Sequence, residues 1–195
     1  MSKLVLTEFL EFRTDSDLLT EAERKKIEEG EEIYLAGVMQ RAGATNGNGR
    51  IYPLPILERE VNNYQKLVRE GRAVGELDHP DSSIVELKNA SHLVTEIRME
   101  GDDVIGKIKI LDTPAGKTAM GLLKGGVKLG ISSRGLGSTR NEGGKTIVQN
   151  DFQLVCFDLV SEPSTTGAFM LREGKEPNIF TKADKINRLL NDLVK

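Results

Sequence analysis

The chain has 195 residues, of which 38% are hydrophobic and 29% charged, with a net charge of −3 and no tryptophan. The length suits one domain, or one domain with appendages, and the composition is that of a globular protein and excludes a disordered or membrane-spanning chain. The acidic balance argues against a protein that binds nucleic acid over its whole surface. One cysteine and two histidines argue against a disulfide framework and against a Cys/His zinc site. We therefore expect a protein of a reducing cytoplasm with no metal and no cofactor.

The amino-terminal half predicts strands, one charged segment and one long helix. The charged segment, residues 13–32, predicts a mobile loop or a short solvated helix that begins after Thr20. The long helix opens near Pro55, which suits a first helical turn, and ends at Gly71. The strands predicted in this half are residues 3–12, 32–40 and 73–77.

The carboxyl-terminal half predicts two hairpins and two further helices. Hairpin turns are expected at Gly101 and at Gly143, each of which separates two apolar runs. One helix begins after Thr113 and ends at Lys124. A second, amphipathic helix is expected at residues 184–194. The strands predicted in this half are residues 92–100, 104–111, 127–133 and 146–159.

Many short strands, hairpins and separated helices indicate an antiparallel sheet or small barrel that carries helices, in the α+β class. Strands and helices do not alternate regularly, which disfavours a doubly wound parallel sheet. Residues 172–182 have the composition of a linker to the final helix. That helix has an apolar face that either packs on its own domain or covers a surface in a homo-oligomer.

The strand at residues 127–133 runs into two consecutive serines, Ser132 and Ser133. Because alternate side chains share a face of a strand, Ser133 lies in phase with the apolar set, whereas Ser132 lies in phase with Arg134. A turn is expected after them, at Gly135 and Gly137. A hydroxyl at such a place is a candidate nucleophile. The alternative is a strand that ends in a polar loop.

A serine nucleophile needs a base and a group that orients the base. Two histidines are available. His79 follows a predicted strand and precedes a proline-fixed loop, so it is the candidate base; the alternative is a turn residue bonded to Asp78 or Asp81. His92 alternates with Val94 in a strand, which favours packing or a surface position.

An acid that orients the base is expected in the strand at residues 146–159. Asp158 lies on a stripe that is otherwise apolar, where a carboxylate requires a partner. The alternative is an aspartate at a frayed strand end, satisfied by backbone donors. Glu162 is the second candidate acid, and Cys156 is interpreted as a small core residue. The backbone N–H groups of Arg134 and Gly135 are candidates for stabilising an oxyanion.

Four short motifs occur in order along most of the chain: NGRIYP at 48–53, GELDHP at 75–80, GISSRGLG at 130–137 and FDLVSEP at 157–163. Together they resemble the prohead core protein proteases of T-even-like tailed phages, within the wider phage prohead and herpesvirus maturation proteases. The resemblance implies a small antiparallel β-barrel flanked by helices, herpesvirus-assemblin-like, and a serine endopeptidase. The predicted domains are then a protease domain at residues 1–171 and a linker with a terminal helix at residues 172–195.

The resemblance also implies roles for individual residues. His79 matches the general base, Ser133 the nucleophile and Asp158 the third member of the triad. Many relatives carry Glu where this chain has Asp158, which is a departure from their pattern. Ser132 is the rival nucleophile; strand phase and the Ser-x-Gly spacing to Gly135 favour Ser133.

Relatives in this family cut internal scaffold or core proteins and the major capsid protein, inside the prohead in the host cytoplasm. They cut after Glu with an aliphatic residue two positions earlier. This chain contains triplets of that kind itself: Leu6-Thr7-Glu8, Ile27-Glu28-Glu29 and Val94-Thr95-Glu96. Self-cleavage is expected at the accessible places, which are the charged segment at residues 15–32 and the tail after Arg172. Candidates by charge for the Glu-binding pocket are Lys128, Arg134 and Arg140. The alternative function is a non-catalytic assembly or scaffold protein of the prohead. No nucleic acid and no membrane partner is expected, and the oligomeric state stays open.

Overall fold

The computed structural model describes residues 4–9, 19–29, 32–80, 82–161 and 169–170. Within these ranges the chain is a mixture of strands and helices, which confirms the predicted α+β class. The strands are β1 Leu4–Phe9, β2 Tyr34–Arg41, β3 Arg50–Ile51, β4 Val74–Glu76, β5 Ala90–Glu100, β6 Asp103–Ile110, β7 Leu129–Gly137, β8 Thr139–Glu142, β9 Lys145–Val148, β10 Gln153–Val160 and β11 Phe169–Met170. The helices are α1 Glu21–Glu28, α2 Leu54–Arg69 and α3 Pro114–Lys124. The predicted linker and terminal helix, and Glu162, lie outside the described residues.

The described strands form three sheets. Sheet A has the order β1-β7-β10, with β11 also paired to β7; sheet B has the order β2-β6-β5-β4; sheet C has the order β3-β9-β8. Sheets A and B are antiparallel, whereas β3 and β9 are parallel, so the strands are not purely antiparallel as predicted. A bridge between Leu77 and Leu159 joins sheet B to sheet A. Among the described strands no closed barrel is found, so the assemblin-like barrel stays a prediction.

The long helix α2 covers one side of the hydrophobic core. It packs on β5 and β10, and its buried face includes Leu57, Val61 and Tyr64 at helical spacing. The ring of Tyr64 lies edge-on against Phe157 of β10, with ring centroids 5.7 Å apart. This contact sets the strand that carries the candidate acid against a rigid helix.

The charged segment contains a helix that is docked, not merely solvated. Thr20 and Glu23 form a capping box: the Glu23 N–H donates to Thr20 Oγ1 at 3.3 Å, and the Thr20 N–H donates to Glu23 Oε2 at 2.8 Å. Lys107 of β6 is 1% exposed and donates to Glu23 at 2.9 Å and to Glu96 at 2.8 Å. Glu23, one of the charges that predicted a solvated helix, therefore attaches α1 to sheet B.

The turn predicted at Gly135 and Gly137 is wrong, because β7 continues through both residues. A Cβ on Gly135 would lie 2.4 Å from Cε2 of Phe152, and one on Gly137 would lie 2.9 Å from the Phe152 α-carbon. These glycines are therefore required for close packing in an extended strand. The hairpin turn at Gly143 and Gly144 is confirmed, with φ of +57° and +79°.

Candidate active site

The loop that carries His79 leaves the end of β4 through a left-handed residue. Asp78 has φ of +64°, a conformation that aspartate tolerates better than most side chains. Its N–H donates to the Leu159 carbonyl at 2.7 Å, so the loop of sheet B is fastened to β10 of sheet A. The His79 side chain is 17% exposed. The imidazole is therefore held at the junction of the two sheets, with an open side toward solvent.

The register of sheet A brings a serine and a carboxylate together. Asp158 of β10 lies directly opposite Ser132 of β7, and directly opposed side chains of paired strands share one face of the sheet. Arg134 and Cys156 form the next opposed pair. The face predicted to hold Ser132 and Arg134 is thus the face that holds Asp158.

His79 bridges this serine and this carboxylate. Its Nδ1 lies 2.8 Å from Asp158 Oδ2, and its Nε2 is hydrogen-bonded to Ser132 Oγ. With the proton on Nδ1, the ring donates to the carboxylate and leaves Nε2 to accept the serine proton. A hydroxyl, an imidazole and a carboxylate joined in this order form the arrangement that activates a serine for acyl transfer.

The geometry joins His79 to Ser132 and not to Ser133, the predicted nucleophile. Ser133 is 1% exposed, and its Oγ has no hydrogen-bond partner among the described residues. Strand phase correctly separates the two serines onto opposite faces. However, β7 is buried on both faces from Leu129 to Gly135, so the apolar stripe does not identify the face that carries polar chemistry.

Asp158 is fully buried and satisfied by a set of converging donors. Besides the ring of His79, these are the Glu76 N–H at 3.0 Å, Arg134 Nε at 2.9 Å and Nη2 at 3.2 Å, and the Cys156 thiol at 3.3 Å. Burial by itself raises the pKa of Asp158. The bond from His79, the charge of Arg134 and the Glu76 N–H outweigh burial and hold that pKa below its ordinary value. The carboxylate is therefore ionised at neutral pH.

The side chain of Arg134 lies beneath the site and is fully buried. Its guanidinium pairs with Asp158 and with Glu76, a second carboxylate that is also 0% exposed. Its Nη1 donates to the Ser82 carbonyl. Two carboxylates and one guanidinium leave one negative charge beside the imidazole.

The described geometry does not support the predicted oxyanion role of the Arg134 and Gly135 N–H groups. At both residues β7 is paired with β1 on one side and with β10 on the other. In a strand with two neighbours the backbone N–H groups lie in the plane of the sheet and are used by the ladder. Arg134 contributes its side chain instead.

The second histidine is structural, as its strand position indicates. His92 is fully buried, with Nε2 3.0 Å from the Phe157 carbonyl and Nδ1 2.8 Å from Ser91 Oγ. Burial lowers the pKa of His92 to about 4, although Asp158 and the Phe157 carbonyl oppose this shift in part. The ring is therefore neutral and holds β5 to β10.

Glu76 is the residue of the site that the sequence analysis missed. It lies in the short run between Ala73 and Leu77, so it is a single charged side chain in a buried strand. The same signal identified Asp158.

Of the charge candidates for a Glu-binding pocket, Arg134 is buried and engaged, and Arg140 is exposed and pairs with Glu142.

The described residues contain no cluster of three or more His, Cys, Asp or Glu side chains with the arrangement of a metal site. Across the same part of the chain, the helices are too short or too polar to span a membrane.

Comparisons with known proteins identify the family of the chain. A family model described as the prohead core protein serine protease matches residues 13–178. The prohead core protein protease of Enterobacteria phage T4 is 32% identical over 173 residues, which cover 84% of this chain and 81% of that protein. The solved structure of the bacteriophage T4 capsid assembly protease, gp21, matches with a TM-score of 0.68 at 26% identity, over 83% of this chain and 99% of that chain. The chain therefore belongs to the prohead core protein serine protease family.

Proposed function

We propose that this chain is a serine endopeptidase in which Ser132 is the nucleophile, His79 the general base and Asp158 the group that holds the base. The observation that carries the proposal is the continuous chain of hydrogen bonds from Ser132 Oγ through the ring of His79 to Asp158 Oδ2. Membership of a serine protease family supports the same reaction class.

The proposed reaction is acyl transfer in two halves. Ser132 Oγ attacks the carbonyl carbon of the scissile peptide bond while His79 Nε2 takes its proton. The imidazolium then donates that proton to the leaving amine nitrogen, the C–N bond breaks, and an acyl ester on Ser132 remains. A water molecule, deprotonated by the same nitrogen, attacks the ester carbonyl; the C–O bond to Ser132 then breaks, the acid is released, and the imidazolium returns its proton to Ser132 Oγ.

The charges around the ring favour the protonated imidazole that forms in this reaction. Asp158, Glu76 and Arg134 together carry one negative charge when all three are ionised. Protonation of His79 makes the cluster neutral. Because the cluster is buried, its field is weakly screened and it is already oriented before the reaction starts.

The proposed substrates are the internal scaffold or core proteins and the major capsid protein of a phage prohead, cut after Glu. The site of action is then the inside of the prohead in the host cytoplasm. Support comes from the similar phage T4 proteins, which are described as a prohead core protein protease and a capsid assembly protease. The assemblin-like barrel belongs to the same proposal.

A fluorophosphonate probe, which esterifies an activated serine, tests the catalytic proposal. We expect the probe to label the wild-type chain at Ser132, located by peptide mass spectrometry. Ser132→Ala is expected to lose labelling, and Ser133→Ala, a matched change one residue away, is expected to keep it. Labelling that survives Ser132→Ala and is lost in Ser133→Ala contradicts the assignment. Absence of labelling in the wild type favours the alternative, a non-catalytic assembly protein.

The register of β1 supports self-cleavage at the first of the three triplets. Glu8 lies opposite Ser133, and Phe9 lies opposite Ser132. The peptide bond between Glu8 and Phe9 is thus part of an extended strand next to the proposed nucleophile, which is the conformation that proteases bind. In contrast, the Ile27 triplet lies in and just after α1, and the Val94 triplet lies in β5 between two paired strands.

Intact mass after incubation tests this part of the proposal. The wild type is expected to lose its first eight residues, and both Ser132→Ala and Glu8→Gln are expected to keep them. Glu29→Gln, the same change in the triplet at α1, serves as the control and is expected to be trimmed like the wild type. Identical trimming of Ser132→Ala and the wild type contradicts self-cleavage.

A further inference from the structure

Glu76 is a buried carboxylate that takes no part in the proton transfers of the proposed reaction. Its backbone N–H donates to Asp158 Oδ1 at 3.0 Å. Its side chain accepts from Arg134 Nη2 through Oε2, and from the Glu86 N–H at 3.0 Å through Oε1. One residue therefore touches the proposed acid with its main chain and the cation beside that acid with its side chain.

Arg134 fixes the orientation of the same acid. Its Nε and Nη2 approach the two oxygens of Asp158 separately, at 2.9 and 3.2 Å, so the carboxylate cannot rotate without losing one bond. The guanidinium is planar and presents its donors in a rigid fork, which a lysine ammonium does not. Because Glu76 also accepts from Nη2, the fork itself is held in place.

The pair also attaches the loop that follows the proposed base. Arg134 Nη1 donates to the Ser82 carbonyl, and Glu76 accepts from the Glu86 N–H. Between these two anchors Ile84 is 72% exposed, so burial of its side chain does not hold the loop. The Ser82 carbonyl and the Glu86 N–H are thus both bonded to the Glu76–Arg134 pair. These two backbone bonds hold the segment that begins at Ser82, three residues after His79.

Stability alone does not account for this arrangement. Removing charges from water is unfavourable, and a buried ion pair often adds little or nothing compared with apolar side chains of similar size. What a buried, fully bonded pair does supply is one fixed geometry for the groups it touches. Here those groups are Asp158 and the loop after His79.

We propose that Glu76 and Arg134 act together as positioning residues for the catalytic triad. They hold Asp158 Oδ2 toward His79 and fix the loop that follows this histidine. This inference rests on the proposed function, in which Ser132, His79 and Asp158 react.

Two conservative substitutions test the proposal. Arg134→Lys keeps the buried positive charge but removes the fork. Glu76→Gln keeps the side-chain shape but places an amide NH2 group against one of the two groups that donate to the carboxylate, Arg134 Nη2 or the Glu86 N–H. The matched control is Asp103→Asn, which weakens a second arginine–carboxylate fork, formed with Arg41. That fork joins β2 to β6 in sheet B.

The readouts are the rate of fluorophosphonate labelling at Ser132 and the melting temperature of each folded variant. Arg134→Lys and Glu76→Gln are each expected to label about 10- to 100-fold more slowly, the usual effect of losing a group that orients a reactive one. The double variant is expected to be no slower than the worse single variant, because two residues that act as one unit lose their effect once. Asp103→Asn is expected to label at the wild-type rate, whatever its melting temperature.

Labelling of Arg134→Lys and Glu76→Gln at the wild-type rate overturns the positioning role and leaves the proposed function intact. A rate loss in Asp103→Asn as large as that in Glu76→Gln also overturns it, because the effect then follows general stability. If Glu76→Gln does not fold, Arg134→Lys decides the question. A wild-type chain that does not label refutes the proposed function itself, and that result is distinct from every outcome above.

Discussion

Replacement of Ser133 by alanine is expected to stabilise the protein, although the residue lies beside the proposed nucleophile. Its hydroxyl is buried and has no hydrogen-bond partner among the described residues, so folding removes it from water without replacement. Such an unsatisfied group costs about 1–3 kcal/mol. The lost oxygen leaves a small void, worth about 0.5 kcal/mol at roughly 24 cal/mol per Å3. The net expectation is a gain of about 1 kcal/mol.

The neighbouring substitution has the opposite expectation. Ser132→Ala removes a hydroxyl that is bonded to His79, so it should be neutral or cost about 1 kcal/mol. For a chain of this length, the gain of about 1 kcal/mol expected for Ser133→Ala raises the melting temperature by about 2–4 °C. Ser132→Ala is expected to lower turnover roughly a millionfold, whereas Ser133→Ala keeps its activity.

Thermal melts and urea unfolding of both variants, with labelling rates on the same samples, check this prediction. The reasoning is refuted if Ser133→Ala is less stable than the wild type by about 1 kcal/mol or more, because the hydroxyl then has a partner in the folded protein. It is equally refuted if Ser133→Ala is the inactive variant.

Two further predictions concern the packing around the site. The pKa of His92 is lowered by burial from 6.5 to about 4, so between these values the unfolded chain binds a proton that the folded chain does not. Stability should therefore fall as the pH decreases through this window, by up to about 3 kcal/mol, and urea unfolding should show a shallower pH dependence for His92→Gln. Gly135→Ala should cost about 1–3 kcal/mol, because its Cβ would lie 2.6 Å from the Gln153 carbonyl oxygen. Gly121→Ala in α3, where a Cβ meets nothing within 4 Å, should instead gain about 1 kcal/mol; equal melting temperatures for the two variants would contradict the packing argument.

Much of the local structure follows from the sequence, because its signals are local. The break at Gly101 correctly marks the turn between β5 and β6, and the cap at Thr113 correctly marks the start of α3. At this cap the Gly116 N–H donates to Thr113 Oγ1 at 3.0 Å. Residues 146–159 contain two strands where one was predicted, since a turn centred on Asn150 and Asp151 separates them. Asparagine and aspartate favour turns, so the sequence does carry a local sign of this break, within a run that is otherwise rich in strand residues.

The partners of the site are harder to predict, because they depend on strand register. Asp158 is recognisable as a carboxylate that needs a partner, but the sequence around it does not indicate that it lies opposite Ser132. Strand phase gives two faces for the serines, but it identifies the reactive face only when the other one is exposed or apolar throughout. The role of Glu76 depends on the approach of β4 to β10, which is a contact between two sheets.

The proposed triad is divided between two sheets, since Ser132 and Asp158 belong to sheet A and His79 follows β4, a strand of sheet B. A sliding motion of one sheet past the other that breaks the bond from the Asp78 N–H to the Leu159 carbonyl would withdraw the base from the alcohol while both sheets stay folded. Misplacement by about 1 Å is enough to slow such a reaction about a hundredfold. Any force that changes the relative position of the sheets would therefore slow the proposed hydrolysis.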